Sequence, residues 1–286
     1  MPDIQSRTWV KLARKTTNTH QWESMNAICP TKTILIGLTS LVFATGALAQ
    51  EANTPTNEEL PNRLVGDLGG GVYVTPSEIR DKSGSTHVLP YAYIDYGRFF
   101  SRIDTLGIKT FKMGYGYFEL AGRVNFDGFT TSNSMLRGLN ERKNSIPLGV
   151  GTFQETPIGA FSVNAFYDVN KSHGALLETI YVGQIKAGSV NFYPQVGVEY
   201  RSANYVNYYY GITAAESAAS GIFKTYQGKA ATNPLVALQI EIPLSESWAL
   251  NLYGRYKWLG DGIKNSPIVE RKATQNYFAA LSYRFK

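Results

Sequence analysis

From Leu64 to the C-terminus this chain is built on a period of two: apolar side chains recur at alternate positions, and polar or ionised groups fill the positions between them. That pattern describes strands with one apolar and one polar face, and it excludes a helical core. Across 114–126, Phe118, Leu120, Val124 and Phe126 share one face, while Glu119, Ala121, Arg123 and Asn125 share the other. In 235–242, Val236, Leu238, Ile240 and Ile242 oppose Ala237, Gln239 and Glu241. In 248–258, Trp248, Leu250, Leu252, Tyr256 and Trp258 oppose Asn251, Tyr253, Arg255 and Lys257. The last segment sets Tyr277, Ala279, Leu281, Tyr283 and Phe285 against Phe278, Ala280, Ser282 and Arg284.

A soluble sandwich or a lipocalin-like barrel has the same period. Three features favour a membrane. The polar faces carry charges in mid-strand, whereas the apolar faces carry almost none. Trp248 and Trp258 lie on one face ten residues apart; at about 3.3 Å per residue and a tilt of about 40°, that spans the height of a lipid-facing band edged by aromatic girdles. The chain also ends on an aromatic strand, YFAALSYRFK, with Phe285 next to last. The expected architecture is therefore all-β, a transmembrane antiparallel up-and-down barrel in the outer membrane of a Gram-negative bacterium.

The segment 1–49 reads as a secretory signal peptide. A basic region holding Arg7, Lys11, Arg14, Lys15 and Lys32 precedes an uncharged apolar stretch, 33–49, that closes on Ala47, Leu48 and Ala49. Met25 offers an alternative start. The one cysteine, Cys29, lies within that leader, which excludes a disulfide scaffold or a cysteine-ligated zinc centre in the exported body. The whole chain has 28 basic and 22 acidic residues. Removing the leader takes away five and two of these, leaving 23 against 20 with no basic cluster, so no nucleic-acid partner is expected. Residues 50–63 read as a flexible lead-in, and 64–286 as the barrel.

Candidate strands fall at 64–75, 87–96, 114–126, 146–155, 157–169, 174–187, 189–201, 230–243, 247–258 and 275–285, with two short ones near 98–103 and 105–111. The total is twelve, or ten if the last two fail. Connections alternate between long (127–145, 202–229, 259–274) and short, which puts the long ones outside the cell and the termini in the periplasm.

Four stretches resemble the MipA/OmpV family: LPYAYIDYGRFF (89–100), YYYGITAAESAASGIFKTY (208–226), NSPIVERKATQ (265–275) and LSYRF (281–285). The resemblance implies an outer-membrane barrel without catalytic residues. It also implies a scaffold that links murein-processing enzymes to the membrane, with a lytic transglycosylase and a bifunctional murein synthase as periplasmic partners. A narrow porin-like channel for small solutes and a surface-exposed adhesin are the alternatives.

No catalytic, cofactor or metal site is expected. His87 and His173 are the two histidines beyond the leader, and only Asp168 lies near either in sequence. The glycine-rich 66–71 lacks the spacing of a nucleotide loop and reads as a place where a strand bends. Face assignment expects lumen-facing charges at Glu119, Arg123, Asp168, Glu178, Lys186, Glu199, Arg201, Glu241, Arg255, Lys257 and Arg284. Trp248, Trp258, Tyr283 and Phe285 are expected at the lipid interface.

Overall fold

The computed structural model describes residues 60–132 and 135–285. The leader 1–49 and most of the lead-in lie outside these residues. Of the lead-in, 60–63 are placed, and the carbonyl of Pro61 accepts a hydrogen bond from the Gly97 N–H.

The strands are β1 Val65–Thr75, β2 Ser85–Tyr96, β3 Phe99–Arg102, β4 Thr105–Met113, β5 Gly116–Arg123, β6 Leu148–Thr156, β7 Gly159–Tyr167, β8 Ala175–Val182, β9 Ile185–Ala187, β10 Val190–Arg201, β11 Ala231–Pro243, β12 Trp248–Trp258 and β13 Ala273–Phe285. Each pairs antiparallel with its neighbour. β13 returns to β1 through Gly66↔Phe285 to Val74↔Tyr277, so the sheet closes. β9 is a three-residue strand that prolongs β8 along the same partner, β10, after an interruption at 183–184. The result is a closed twelve-stranded barrel plus one extra strand, and both short strands before Lys112 are present. Closure pairs the strands round the barrel, the Ser85–Tyr91 stretch of β2 on its β3 side excepted, and such pairing is what allows a β-structure to cross lipid.

Strand parity sorts the side chains. Outward positions carry exposed apolar groups such as Leu68, Val72 and Val74 of β1, or Leu238 and Leu281 further round. Inward positions carry charges, neutral polar groups, large aromatic rings or very small residues. Gly69 and Gly71 face in, where a Cβ would meet the carbonyls of Leu281 and Ala279 at 2.0 and 2.4 Å. With Ala280 and Ser282 they make room for the rings of Tyr91 and Phe278, stacked at 5.9 Å. Gly69 and Gly71 thus serve close packing inside the wall, whereas Gly66 takes a φ of 106° at the start of β1.

One end of the barrel carries short turns and the chain termini, and the other carries the long connections. At this loop end the segments fold into a hydrophobic plug. Helix α1, Ala203–Tyr210, buries Tyr205, Val206, Tyr209 and Tyr210 completely or nearly so. They pack against Phe129, Phe166, Leu176, Leu259, Ile263 and Ile268. Helix α2, Ala214–Ser220, starts with a capping box in which the Thr213 hydroxyl accepts from the Glu216 N–H and the Glu216 carboxylate accepts from the Thr213 N–H. Helix α3, Asp261–Lys264, adds Ile263 to the plug.

The wall is uneven in height. β10 and β11 stay in register from Asn191↔Glu241 to Arg201↔Ala231, whereas β2 and β3 share only the stretch from Tyr93↔Arg102 to Tyr96↔Phe99. The β3–β4 hairpin turns back at Ile103 and Asp104, with Ile103 in the left-handed region at a φ of 61°. That conformation is unusual for a β-branched residue.

Candidate functional site in the barrel interior

Among the described residues, three groups of ion pairs and two aromatic clusters line the interior. At the turn end, Arg284 of β13 donates to both carboxylate oxygens of Asp67 on β1, at 2.8 and 2.9 Å, and reaches Glu241 of β11 at 3.1 Å. Such forked pairing satisfies several donors of the guanidinium at once. Glu241 also accepts from Asn191 Nδ2. Beside the low part of the wall, Arg102 of β3 lies 3.4 Å from Glu119 and stacks on the Phe100 ring at 4.2 Å, while Lys109 pairs with Asp95 at 3.0 Å.

The largest group sits under the plug. Glu199 of β10 accepts from Arg201 Nε at 2.7 Å, from Lys257 Nζ at 3.0 Å and from Asn233 Nδ2 at 2.9 Å. Arg201 continues to Asp127 of the 124–147 connection at 2.6 Å. Glu178 is the direct cross-strand neighbour of Glu199, and two like charges in that position repel. Different cations divide them: Arg123, reaching across from β5, takes Glu178 at 3.0 Å. Burying these charges costs several kcal/mol each unless they are paired and hydrogen-bonded, so the network is a condition for folding these polar faces inward.

The plug is tied to this network by phenols. Tyr205 donates to Asp127 at 2.8 Å and Tyr210 to Glu78 at 2.9 Å. Burial, together with the neighbouring carboxylates, raises both phenol pKa values well above the ordinary one, so each remains a proton donor. Further out, Glu216 accepts from Arg142 at 2.8 Å and from the Asn140 N–H. Burial alone would raise its pKa, but the backbone N–H groups of Thr213 and Asn140 and the Arg142 guanidinium hold it down to about 2.

The charged positions singled out from sequence divide as follows. Glu119, Glu178, Glu199, Arg201, Glu241 and Lys257 are buried in the interior groups, with Arg123, Arg255 and Arg284 part of the same lining. Lys186 is the middle residue of the short strand β9 and lies exposed. Asp168 is fully buried but stands just past β7, where its carboxylate accepts from the N–H groups of Asn170, Lys171 and Ser172 and from the Ser172 hydroxyl. It caps a turn, and it joins neither the ion-pair groups nor His173, which adopts a φ of 50° in the same turn. On the outer face, Trp248 packs edge-on to Tyr283, and Tyr283 in turn to Phe285. Trp258 packs on Tyr256 at the other end of β12.

Sequence reasoning missed Asp67, Asp95, Arg102, Lys109, Asp127 and Glu78. Asp67 was legible, because it shares parity with Gly69 and Tyr73 in a strand already marked. Arg102 lies in a four-residue strand with too few positions to fix a face. Asp127 and Glu78 lie in connections, where no period exists and only the folded loops bring them inside.

The family model described as MltA-interacting protein MipA matches residues 68–285. The chain is 25% identical over 255 residues to the putative outer membrane protein YiaT of Escherichia coli K12, covering 88% of this chain and 98% of that protein. It is 22% identical over 231 residues to the MltA-interacting protein of the same organism, covering 76% and 89%. The outer membrane protein OmpV of Vibrio cholerae is 25% identical over 192 residues, covering 66% and 70%.

Proposed function

Since the chain belongs to the MipA family of outer-membrane proteins, we propose that it is a sealed, non-enzymatic barrel that anchors a murein-processing enzyme to the outer membrane. The observation that carries this reading is the interior itself. Paired charges, the Tyr91–Phe278 stack and the α1 plug stand at successive levels of the bore, with one cavity of about 140 Å³ beneath the plug, and that favours a binding role over a solute channel. The relative named for interacting with MltA supports a murein enzyme as the partner. A lytic transglycosylase and a bifunctional murein synthase are the proposed partners, with lipid held between Trp258 and Trp248 on the outer face. The plug tyrosines point inward, which weakens the adhesin reading.

Purified protein in planar bilayers should give no conductance steps, and steps of fixed size would restore the channel reading. Sidedness is tested with cysteines. Those at the exposed positions Ala218 and Asn265 should react with an impermeant maleimide on intact cells, and one at Ser245 only after the outer membrane is opened. Photo-crosslinkers at Ile158 and Leu244, two exposed apolar residues of the turn end, should then capture a murein enzyme from intact cells. Capture from Ala218 but not from the turn end would refute periplasmic docking.

A further inference from the structure

Above the low β3–β4 hairpin the wall has a window. β2 loses its hydrogen-bonded neighbour after Tyr93, where the Ile103 N–H bonds to the Ala92 carbonyl. The next chain across from Ser85–Leu89 is the segment continuing from β5, whose Val124 N–H bonds to the Asp104 carbonyl. No ladder joins the two sides. They touch through His87 and Phe126, whose rings stack at 6.0 Å. The top is closed by Lys82, which donates to the Gly128 carbonyl, and by Met135, whose N–H donates to Asp81. The floor is the Ile103–Asp104 turn.

The window leads inward. A cavity of about 140 Å³ is lined at its mouth by Ser85, Asp104, Val124 and Phe126, and at its far side by Arg255, Lys257 and Thr274. Its outer rim is mostly apolar: Val88, at 83% the most exposed large hydrophobic residue of the wall, is joined by Leu106, Ile103, Val124 and Phe126, with the half-exposed Asp104 carboxylate at the floor, 3.9 Å from Arg123. In a barrel embedded in the outer membrane, that rim faces acyl chains.

The inner end has the opposite character. Arg123, Arg201 and Lys257 each have a carboxylate partner, whereas the one hydrogen bond of Arg255 among the described residues runs to the neutral Asn276. Its Nε, the Nδ2 of Asn125 and the Oγ1 of Thr274 are buried without a hydrogen-bond partner. All three atoms can donate, and all three residues line this cavity. Unpaired buried donors are costly, and native proteins rarely leave several in one place. An acceptor-only group in the cavity, a carboxylate or phosphate, would offer such donors the acceptor they lack.

We propose that the window is a lateral portal by which a single-chain amphiphile with a carboxylate or phosphate head reaches the interior from the lipid, its head held by Arg255 and its tail passing between Val88 and Phe126. The cavity admits one small head group, which excludes a diacyl lipid with a bulky head. This goes beyond the scaffold reading and does not depend on it.

The test uses the full chain in a neutral detergent, with 11-(dansylamino)undecanoic acid as the probe. Saturable fluorescence enhancement is expected, weakened about tenfold or more in Arg255→Gln, as removal of a charged hydrogen-bonding partner implies. The corresponding dansyl alcohol, which lacks the charge, should bind at least tenfold more weakly than the acid. Acetate and inorganic phosphate should not displace the probe at concentrations where decanoate does. In His87→Cys/Phe126→Cys, closing the two thiols with dibromobimane should abolish binding that the unbridged form retains. Equal binding of acid and alcohol, displacement by the tail-less anions as readily as by decanoate, or unchanged binding after bridging would each overturn the proposal. If Arg255→Gln fails to give a heat-modifiable barrel, the bridging and alcohol arms decide by themselves.

Discussion

The tall wall from β10 through β13 to β1 and the low wall at β3–β4 solve the same problem by different means. On the tall side, long ladders of backbone hydrogen bonds hold the strands, and the inner face accommodates several charges because many side chains share them. Glu199 alone accepts from three donors on three strands. On the low side four-residue pairings hold little by themselves. There the packing is local: a Cβ at Gly107 would meet the Phe100 ring at 2.4 Å, so that ring lies flat over the glycine, and Arg102 lies over the ring. Strand length therefore decides whether charge is held by a network or by a single stack, and the short corner is also where the wall opens.

The largest expected effect tests the tall wall. Leu252→Arg puts a cation on its outer face, at a cost of about 2–4 kcal/mol near the bilayer midplane, and should abolish the heat-modifiable folded band. The inner position Asn251 is a poor control because it is buried and donates to Ser282 Oγ. Gln239, inward and only partly buried, is the better one, and Gln239→Arg should still assemble. Equal folded yields in lipid would mean that the two faces are not distinguished by the membrane.

Of the same order in free energy, and smaller only in its effect on folded yield, is the contrast between networks. Glu199→Gln strands Lys257 in the interior and leaves Arg201 with the Asp127 carboxylate alone, and breaking a buried pair of this kind costs about 3–5 kcal/mol. Glu119→Gln removes one contact at 3.4 Å from an Arg102 that keeps its place on Phe100, and should cost less than half as much. Thermal unfolding in detergent, followed by circular dichroism, ranks them. The reverse order would mean that the stack, and not the network, is the more dependent arrangement.

The smallest effect concerns the plug. The Glu216 pKa is depressed to about 2, so its contribution is complete above the ordinary carboxylate value near 4.5 and is lost as pH falls from there towards 2. Hydrogen exchange of the amides in α2 should lose protection across that window. Glu216→Gln should start with lower protection and show no such pH dependence. A wild-type profile that is flat between pH 4.5 and 2 would show that the capping box and Arg142 do not hold the plug.

Alternation, tryptophan spacing and the terminal aromatic strand are local properties of the chain, and they were enough to specify a transmembrane barrel, with twelve strands or ten, and the inward parity of residues such as Glu199, Lys257 and Arg284. The period of two acts through the pleat, which any strand of five or more residues displays. What the tertiary structure alone decided is which charges meet and where the wall stops. Arg123 meets Glu178 from strands three places apart, and Asp127 and Glu78 enter the interior from connections without a period. Asp168 has a mid-strand look in the sequence yet caps a turn, because β7 ends one residue before it. The window arises where a two-residue turn halts β3 and β4 beneath longer neighbours. Loop paths and strand ends depend on packing between segments far apart in the chain, and no periodicity within either segment encodes that.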